Sequence, residues 1–510
     1  MGITTFAAIH IGSYDVIMKI YEMSKTKGMK ELNFIRHRLK IGQDSYNNRK
    51  ISYDTMNDLC EKLNDFKNIM KEYDVAQYGI FATSAIREIA NELLALEQIK
   101  RKTGMEVEVL SNSEQRFIEY MSVAAQEEAF NKIIKKKTAI ADLGGGSLQI
   151  SIFDRDRLIS TQNIMLGTVW ISEIAGEMDY RSTKYSEVIE ELIQNDLECF
   201  ESLYLNSHEI KNLIVVGELV ARIVKTLENN SDNSMTKEQY MEFYNTYAQI
   251  NPEIVVEKLG LSKDYSSMLK PTLILLKHLI KMTKAETIWA PGTNLTDGIA
   301  YRFALANNYI KSQHDFDEDI IAETENISKR YQCNKTHTAA IKSYADEIFD
   351  ASKKLHKLSM REKLMLNIAA MLHDCGKYIS MSNGAANAYN IVMSTEIIGL
   401  SHREREIVAN VIYFNTTKMP EKNELLKRFD VEDYLIICKL TAILRIANVL
   451  DRSHKQKIKH LKAVLKDNNL YIYPDCSPTD FSLEKGMFAK KITLFEEVFG
   501  IEPVLKFKLN

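Results

Sequence analysis

Two stretches, AAIHIGSYD at residues 7–15 and TAIADLGGGS at residues 138–147, have nearly the same shape: an apolar strand running into a glycine turn. Overlaid, His10 falls opposite Asp142 and Gly12 opposite Gly144. What surrounds each copy repeats as well. TTFAAIHIG and DVIMKIYEM read as adjacent strands and LNFIRHRLKIG as a third. Met56, Leu59, Leu63, Phe66 and Met70 then recur at helical spacing. The short strand AQYGIFAT leads into a helix from Thr83, and VEVLS into a helix opening at Ser113-Glu114-Gln115. KKKTAIADLGGGSLQISIFD restarts the series as strand, turn and strand. LISTQNIML, a polar helix at about 185–204, the strand NLIVVG and a strand, loop and helix in TIWAPGTNLTDGIAYRFALA complete it. Two βββαβα-like halves predict a duplicated α/β fold with a cleft between the halves. Ligands of such folds sit at strand C-terminal ends, on turns and at helix N-termini.

After about residue 310 long helical patterns dominate to about 465, as in MREKLMLNIAAMLHDCGKYI. The tail returns to strands, with LKAVLKDNNLYIYP reading as a hairpin around Asp467-Asn468-Asn469, then the helix KITLFEEVFG and the strand PVLKFKL. The expected division is a first lobe at 1–127, a second at 128–308, a helical domain at 309–465 and a small α/β piece at 466–510. A chain of 510 residues with 45% apolar and 26% charged residues suits such a multidomain globular protein. The net charge of −3 gives no global drive toward nucleic acid or membrane, so any polyanion site has to be a local basic patch. Six scattered cysteines without a CxxC pair read as free thiols of a reducing compartment. The N-terminus lacks a basic segment followed by an apolar run. The most apolar stretch, TLILLKHLI at 272–280, is too short to span a bilayer. A cytoplasmic location is expected.

DLGGGS at 142–147 carries the most chemistry. Three glycines let the backbone approach a ligand and turn N–H groups toward it, and Ser147 adds a hydroxyl. Asp142, at the strand end, can hold a divalent cation or orient a water. A tight hairpin built on positive φ angles would use the same residues.

ATSAIRE at 82–88, SNSEQRF at 111–117, ADLGGGS at 141–147, LGTVWISE at 166–173 and LTDGIAYRFA at 295–304 occur in an order and at intervals that resemble the exopolyphosphatase / guanosine pentaphosphate phosphohydrolase (Ppx/GppA) family. The resemblance covers nearly the whole chain. It implies an actin/sugar-kinase-like (ribonuclease H-like) two-lobe fold with an all-α HD-like domain and a small α+β tail. It also implies Mg²⁺-assisted attack of water on the terminal phosphoanhydride of polyphosphate or pppGpp, and a homodimer. Gly12, Ser13, Thr83, Gly144, Gly145, Gly146 and Ser147 would cradle phosphate, Arg87 would clamp it, and Asp142 would hold Mg²⁺ or the water.

Several positions depart from the family pattern. The first-turn acid is His10, read either as a departure at the site or as a strand-end histidine satisfied by backbone partners. The glutamate that polarises the water falls on Gln115, with Glu114 beside it and Asp15 just past the first turn as rescue candidates. The glutamate closing the second turn is Gln149, an arginine is Trp170, and a phosphate-facing glycine is Glu218. Gln keeps the size and hydrogen bonding of Glu and loses the proton acceptor. Three functions are therefore open: a phosphoanhydride hydrolase using Glu114 or Gln115, a polyphosphate- or alarmone-binding regulator without turnover, or a phosphohydrolase centred on the HD-like region with the actin-like half as its regulator.

In the helical region, His337, His373-Asp374 and Asp451 form an H…HD…D set able to hold a divalent metal and its water. Segments where related chains carry further histidines read GAANAYNIV and IYFNTT, which favours a structural domain. RSHKQKIKHLK at 452–462 is either a solvated helix face or a basic patch for polyphosphate.

Overall fold

Both glycine turns join the first two strands of an antiparallel meander. A computed structural model describes residues 2–176, 183–205, 210–227 and 232–507, in two units, Met1–Asp315 and Phe316–Asn510. In the first unit β1 (Thr4–Ile11), β2 (Asp15–Ser24) and β3 (Gly28–Arg38) form one meander. β4 (Gln77–Ala82) lies parallel to β1 on its free side, and β5 (Glu108–Val109) parallel to β4. The second meander is β6 (Thr138–Leu143), β7 (Leu148–Asp154) and β8 (Arg157–Ile164). β9 (Asn212–Val216) is parallel to β6, β10 (Ser234–Thr236) is an antiparallel edge, and β11 (Thr287–Trp289) is parallel to β9. The orders β3-β2-β1-β4-β5 and β8-β7-β6-β9-β11-β10 are one course run twice. His10 pairs with Ile17, and Asp142 with Gln149, at equivalent points of the two meanders.

Parallel neighbours need crossovers, and helices supply them. Tyr53–Glu72 joins β3 to β4, is capped by Ser52, and buries Met56, Leu59, Leu63, Phe66 and Met70 on the first sheet. Thr183–Phe200 plays the same part in the second half. Ser266–Thr283, which contains the apolar stretch 272–280, is buried over most of its surface in the second core. The helix expected to open at Ser113 instead runs Asn112–Ala124, because Ser111 and Glu114 form a reciprocal capping box two residues earlier.

In the second unit the helices Phe316–Arg330, Lys335–Ala351, Met360–Leu372, Gly384–Ser394, His402–Thr416 and Val431–Val449 pack together. Three strands, β12 (Leu461–Lys466), β13 (Asn469–Pro474) and β14 (Glu502–Leu505), complete it. Asp467 and Asn468 take left-handed φ of 49° and 59°, as a two-residue hairpin requires. β12 runs across the boundary expected at 465/466. Ala463 N–H donates to Glu347 and Tyr344 Oη to the Ile458 carbonyl, which ties the strand to the Lys335–Ala351 helix. The basic run 452–462 is not a helix but a loop leading into β12, and its Lys457 binds Glu484 at 2.8 Å. The last residues of the PVLKFKL segment lie outside the described residues. Among the described residues no helix is long and apolar enough to cross a membrane.

The helix Leu295–Ala306 packs on β1 and on Asn112–Ala124, closing the first lobe. Its Asp297 caps Asn294 N–H at 2.8 Å and accepts from Lys19 Nζ and Tyr21 Oη, each at 2.8 Å. Lys19 is buried, and its other partner, Glu31, is half exposed. Removing the carboxylate strands a buried ammonium and a cap together. Asp297→Ala is expected to lower stability by about 3 kcal/mol in urea denaturation, and Asp297→Asn by about half as much.

Candidate functional site

The two turns face each other across a cavity of about 420 Å³ in the first unit. Their approach leaves no room for side chains. A Cβ on Gly145 would stand 2.9 Å from Ser13 Cβ, and one on Gly146 would stand 2.6 Å from Ser84 Oγ. None of Gly144, Gly145 and Gly146 has positive φ, so closeness and not a left-handed turn demands glycine here. Gly144 N–H donates to the Ser147 carbonyl. The Gly144 and Gly145 carbonyls accept from Thr168, Val169 and Trp170 N–H at 2.9–3.0 Å, the first turn of the Thr168–Ile174 helix. The helix start is thus spent on the loop. The Gly145 and Gly146 N–H groups meet no acceptor among the described residues. Ser13 Oγ lies 2.5 Å from Tyr46 Oη and 3.3 Å from Ser84 Oγ, so hydroxyls line the opposite wall.

Two carboxyls stand beside this cradle. Asp142 ends β6, and Glu119 reaches the same cavity from the Asn112–Ala124 helix. Their residues are 8% and 7% exposed. Gln115, one helical turn before Glu119, donates Nε2–H to Glu119 Oε1 at 3.0 Å. Burial, and then the charge of Asp142, push the Glu119 carboxyl well above the usual range. Burial raises Asp142 to about 6, with the Glu119 hydrogen bond pulling the other way. Each carboxyl thus disfavours ionisation of the other. Asp142 Oδ2 and Glu119 Oε2 are buried and have no hydrogen-bond partner among the described residues. Two bare hard oxygens on the wall of one cavity suit the chemistry of a divalent cation of the Mg²⁺ type.

The structure redistributes the expected roles. Gly12, Ser13, Thr83, Gly144, Gly145, Gly146, Ser147, Gln115 and Asp142 all line the cavity. Glu114 does not; its carboxylate is held by Ser111 N–H and Oγ in the capping box. Arg87 does not line it either. Its guanidinium donates to the Leu110 carbonyl at 2.6 Å and to Asn112 Oδ1, fastening the following helix. Asp15, the other rescue candidate, is bound by Arg36 at 3.2 Å and Arg38 at 3.1 Å. His10 is satisfied by a side chain and not by backbone, through Nε2 to Thr83 Oγ1 at 3.1 Å. Burial lowers its pKa to about 4, so it stays neutral.

The sequence reading missed three things at the cavity. Glu119 is one; its signal was the i, i+4 spacing from Gln115, which puts both on one helix face. The second is a latch in which Arg36 binds Glu218 at 2.6 Å while Tyr265 Oη donates to the same carboxylate. The third is a pair of exposed cations, Arg222 and Lys225, on the Glu218–Thr226 helix. Both line the cavity and neither has an ion-pair partner among the described residues.

In the second unit His337, His373 and Asp374 come close together, but Asp451 is diverted. Both its oxygens are taken, by His337 Nδ1 at 2.8 Å and by Gln456 N and Nε2 at 2.8 and 2.9 Å. His454, which no motif singled out, stacks on His337 instead.

Two family models match the chain: the Ppx/GppA phosphatase family over residues 16–307, and domain III of the same family over residues 321–482. The guanosine-5'-triphosphate,3'-diphosphate pyrophosphatase of Aeromonas hydrophila is 20% identical over 451 residues, 87% of each chain. The bifunctional 3-dehydroquinate synthase/phosphatase of Fusobacterium nucleatum is 22% identical over 173 residues, 33% of this chain and 26% of its own. Among solved structures, an exopolyphosphatase from Cytophaga hutchinsonii superposes with a TM-score of 0.53 at 15% identity, covering 59% of this chain and 98% of that one. The Aquifex aeolicus member of the Ppx/GppA family gives 0.50 at 17% identity, covering 60% and 99%. These likenesses carry the actin-like two-lobe fold. The chain belongs to the Ppx/GppA phosphatase family.

Proposed function

We propose that the cleft hydrolyses the terminal phosphoanhydride of inorganic polyphosphate or of a guanosine phosphate alarmone. The observation that carries this reading is the buried Glu119–Asp142 pair beside the unclaimed Gly145 and Gly146 N–H groups. The N–H groups and the Ser13 and Ser147 hydroxyls would bind the terminal phosphoryl oxygens. Arg222 and Lys225 would hold the chain behind them. Glu119, once ionised, would take the proton of the attacking water as its oxygen bonds to phosphorus and the bridging oxygen leaves with the shortened chain. Gln115 fixes the Glu119 carboxyl for this task. Asp142 and Glu119 would hold Mg²⁺, which supplies charge neutralisation at the phosphoryl oxygens and favours the ionised pair.

A second reading, binding without turnover, is favoured by one observation. Gln115 and Gln149 are buried amides where the family pattern has carboxylates. One assay separates the two. Purified protein with long-chain polyphosphate and Mg²⁺ is expected to release phosphate. Glu119→Gln should lower kcat by about 10²–10⁴ and leave polyphosphate Kd nearly unchanged. Release no greater than that of Asp142→Ala, with binding retained, would establish the regulator instead.

The carboxyl pair also fixes a pH dependence. Cation binding needs both groups ionised, so Mg²⁺ affinity should rise with pH through about 6 and above. For stability the sign is opposite. A carboxyl whose pKa is raised on folding carries no penalty at low pH and destabilises the fold as pH rises through its native value. Glu119→Gln is therefore expected to raise the Tm of metal-free protein at pH 8 by about 2–4 °C and to change it little at pH 4.5. At the cavity mouth, Glu218→Gln should release Arg36 for the anion and tighten polyphosphate binding about threefold to tenfold in calorimetry. Unchanged affinity would show that the ligand does not reach Arg36.

A further inference from the structure

Away from the cleft, the second unit brings three imidazoles and a carboxylate together. Two of the imidazoles have their outer nitrogen already committed. His337 donates Nδ1–H to Asp451 Oδ2 at 2.8 Å, with both side chains 1% exposed. His373 donates Nδ1–H to the Ala370 carbonyl at 2.8 Å. These bonds fix both tautomers and leave the lone pair on Nε2. Both Nε2 atoms are buried and have no hydrogen-bond partner. A buried acceptor left bare is costly, and two beside one carboxylate call for a Lewis acid.

The carboxylate is Asp374. Its Oδ1 lies 3.5 Å from His373 Nε2, while its Oδ2 is held by Lys377 Nζ at 2.6 Å. His454 follows Asp451 on a loop, with φ of 54°, and its ring stacks on His337 at 3.6 Å. Ligand atoms of His337, Asp374 and His454 all lie within 4.8 Å of one another. The ring centroids of His337 and His373 are 5.2 Å apart at 61°, so those two can converge from different directions. A tetrahedral ion with bonds of about 2.0–2.1 Å needs these atoms closer by roughly an ångström, and the His454 ring tilted out of its stack.

We propose that His337, His373, Asp374 and His454 bind one structural zinc-type ion, with Asp451 acting through His337 and not on the metal. The donor set selects the metal. Three imidazoles and a single carboxylate suit Zn²⁺ or Co²⁺, and the oxygen-preferring Mg²⁺ poorly. The role follows from the ligand count, because four protein ligands leave no open position for a catalytic water. The ion would join the Lys335–Ala351 helix, the end of Met360–Leu372 and the loop after Val431–Val449. Asp451 is the outer partner that orients a ligating histidine, and Gln456 holds Asp451 in turn. This differs from the H…HD…D expectation in both the fourth ligand and the function.

The test uses the full chain, stripped with chelator and titrated with Co²⁺ as an optical probe, then with Zn²⁺ in competition. One equivalent should bind with the absorption of a tetrahedral site, and Zn²⁺ should displace it and raise Tm. His337→Gln and Asp374→Asn should abolish binding. Asp451→Asn should weaken it by about 10–100-fold while keeping the tetrahedral spectrum. Asp142→Asn should leave it unchanged, which separates this site from the cleft. Absence of a stoichiometric Co²⁺ spectrum in the wild-type chain would overturn the proposal whatever the variants do. An octahedral spectrum, or full loss in Asp451→Asn with binding kept in His454→Ala, would overturn the ligand assignment and the structural role.

Discussion

The two glycine turns can meet only because positions 145 and 146 carry no Cβ. Much of the cleft follows from that contact. Ser13 and Ser84 occupy the space that side chains would have filled. The loop then lies flat enough for its carbonyls to accept the first N–H groups of the Thr168–Ile174 helix. With the carbonyls turned to that helix, the N–H groups of Gly145 and Gly146 are left without acceptors. Asp142 comes off β6 just before the loop and reaches the same space. Two backbone N–H groups and a carboxylate are thus placed together by backbone geometry.

Charge in the cleft is arranged differently. Asp15 is bound by Arg36 and Arg38, and Glu218 by Arg36 and Tyr265. These partners hold one another, so the strongest donors of the cavity wall are already engaged. Arg222 and Lys225 are the cations left over. A net charge of −3 conceals all of this, because the pairing cancels locally. On the proposed reading, affinity for a phosphate chain would depend on exchange of partners at Arg36 more than on the overall field.

The strands and the turn motif were legible because short apolar runs, buried on both faces and broken by glycine turns, are local signals. The helix Tyr53–Glu72 was legible because its one buried face repeats at helical spacing. Ser266–Thr283 was not, since a helix buried nearly all round loses that period and leaves only an apolar run. Among the expected site residues, the turn, Ser13, Thr83 and Gln115 line the cavity, while the side chains of Glu114 and Arg87 are turned to other partners. Arg87 sits in its motif, yet its direction is set by the Leu110 carbonyl and Asn112, whose positions depend on how the next helix docks. Asp451 and His454 are three residues apart, and only the path of their loop decides which one faces Asp374. Spacing along the chain holds no information about that path.

Glu119 shows how a carboxylate can stand at a cavity whose motif has lost one. Four residues along a helix is a rise of about 6 Å and a turn of about 40° from the starting direction. A carboxylate moved from 115 to 119 therefore stays on the cavity side, and Gln115 remains near enough to hold it. The move has a price in proton affinity. At 119 the group stands against Asp142, and burial and that charge push its carboxyl well above the usual range. A cation held by the pair would compensate the second negative charge in the same small volume. On the proposed reading, cation binding would favour the ionised pair that activation of water requires, so the place of the carboxylate would couple the two.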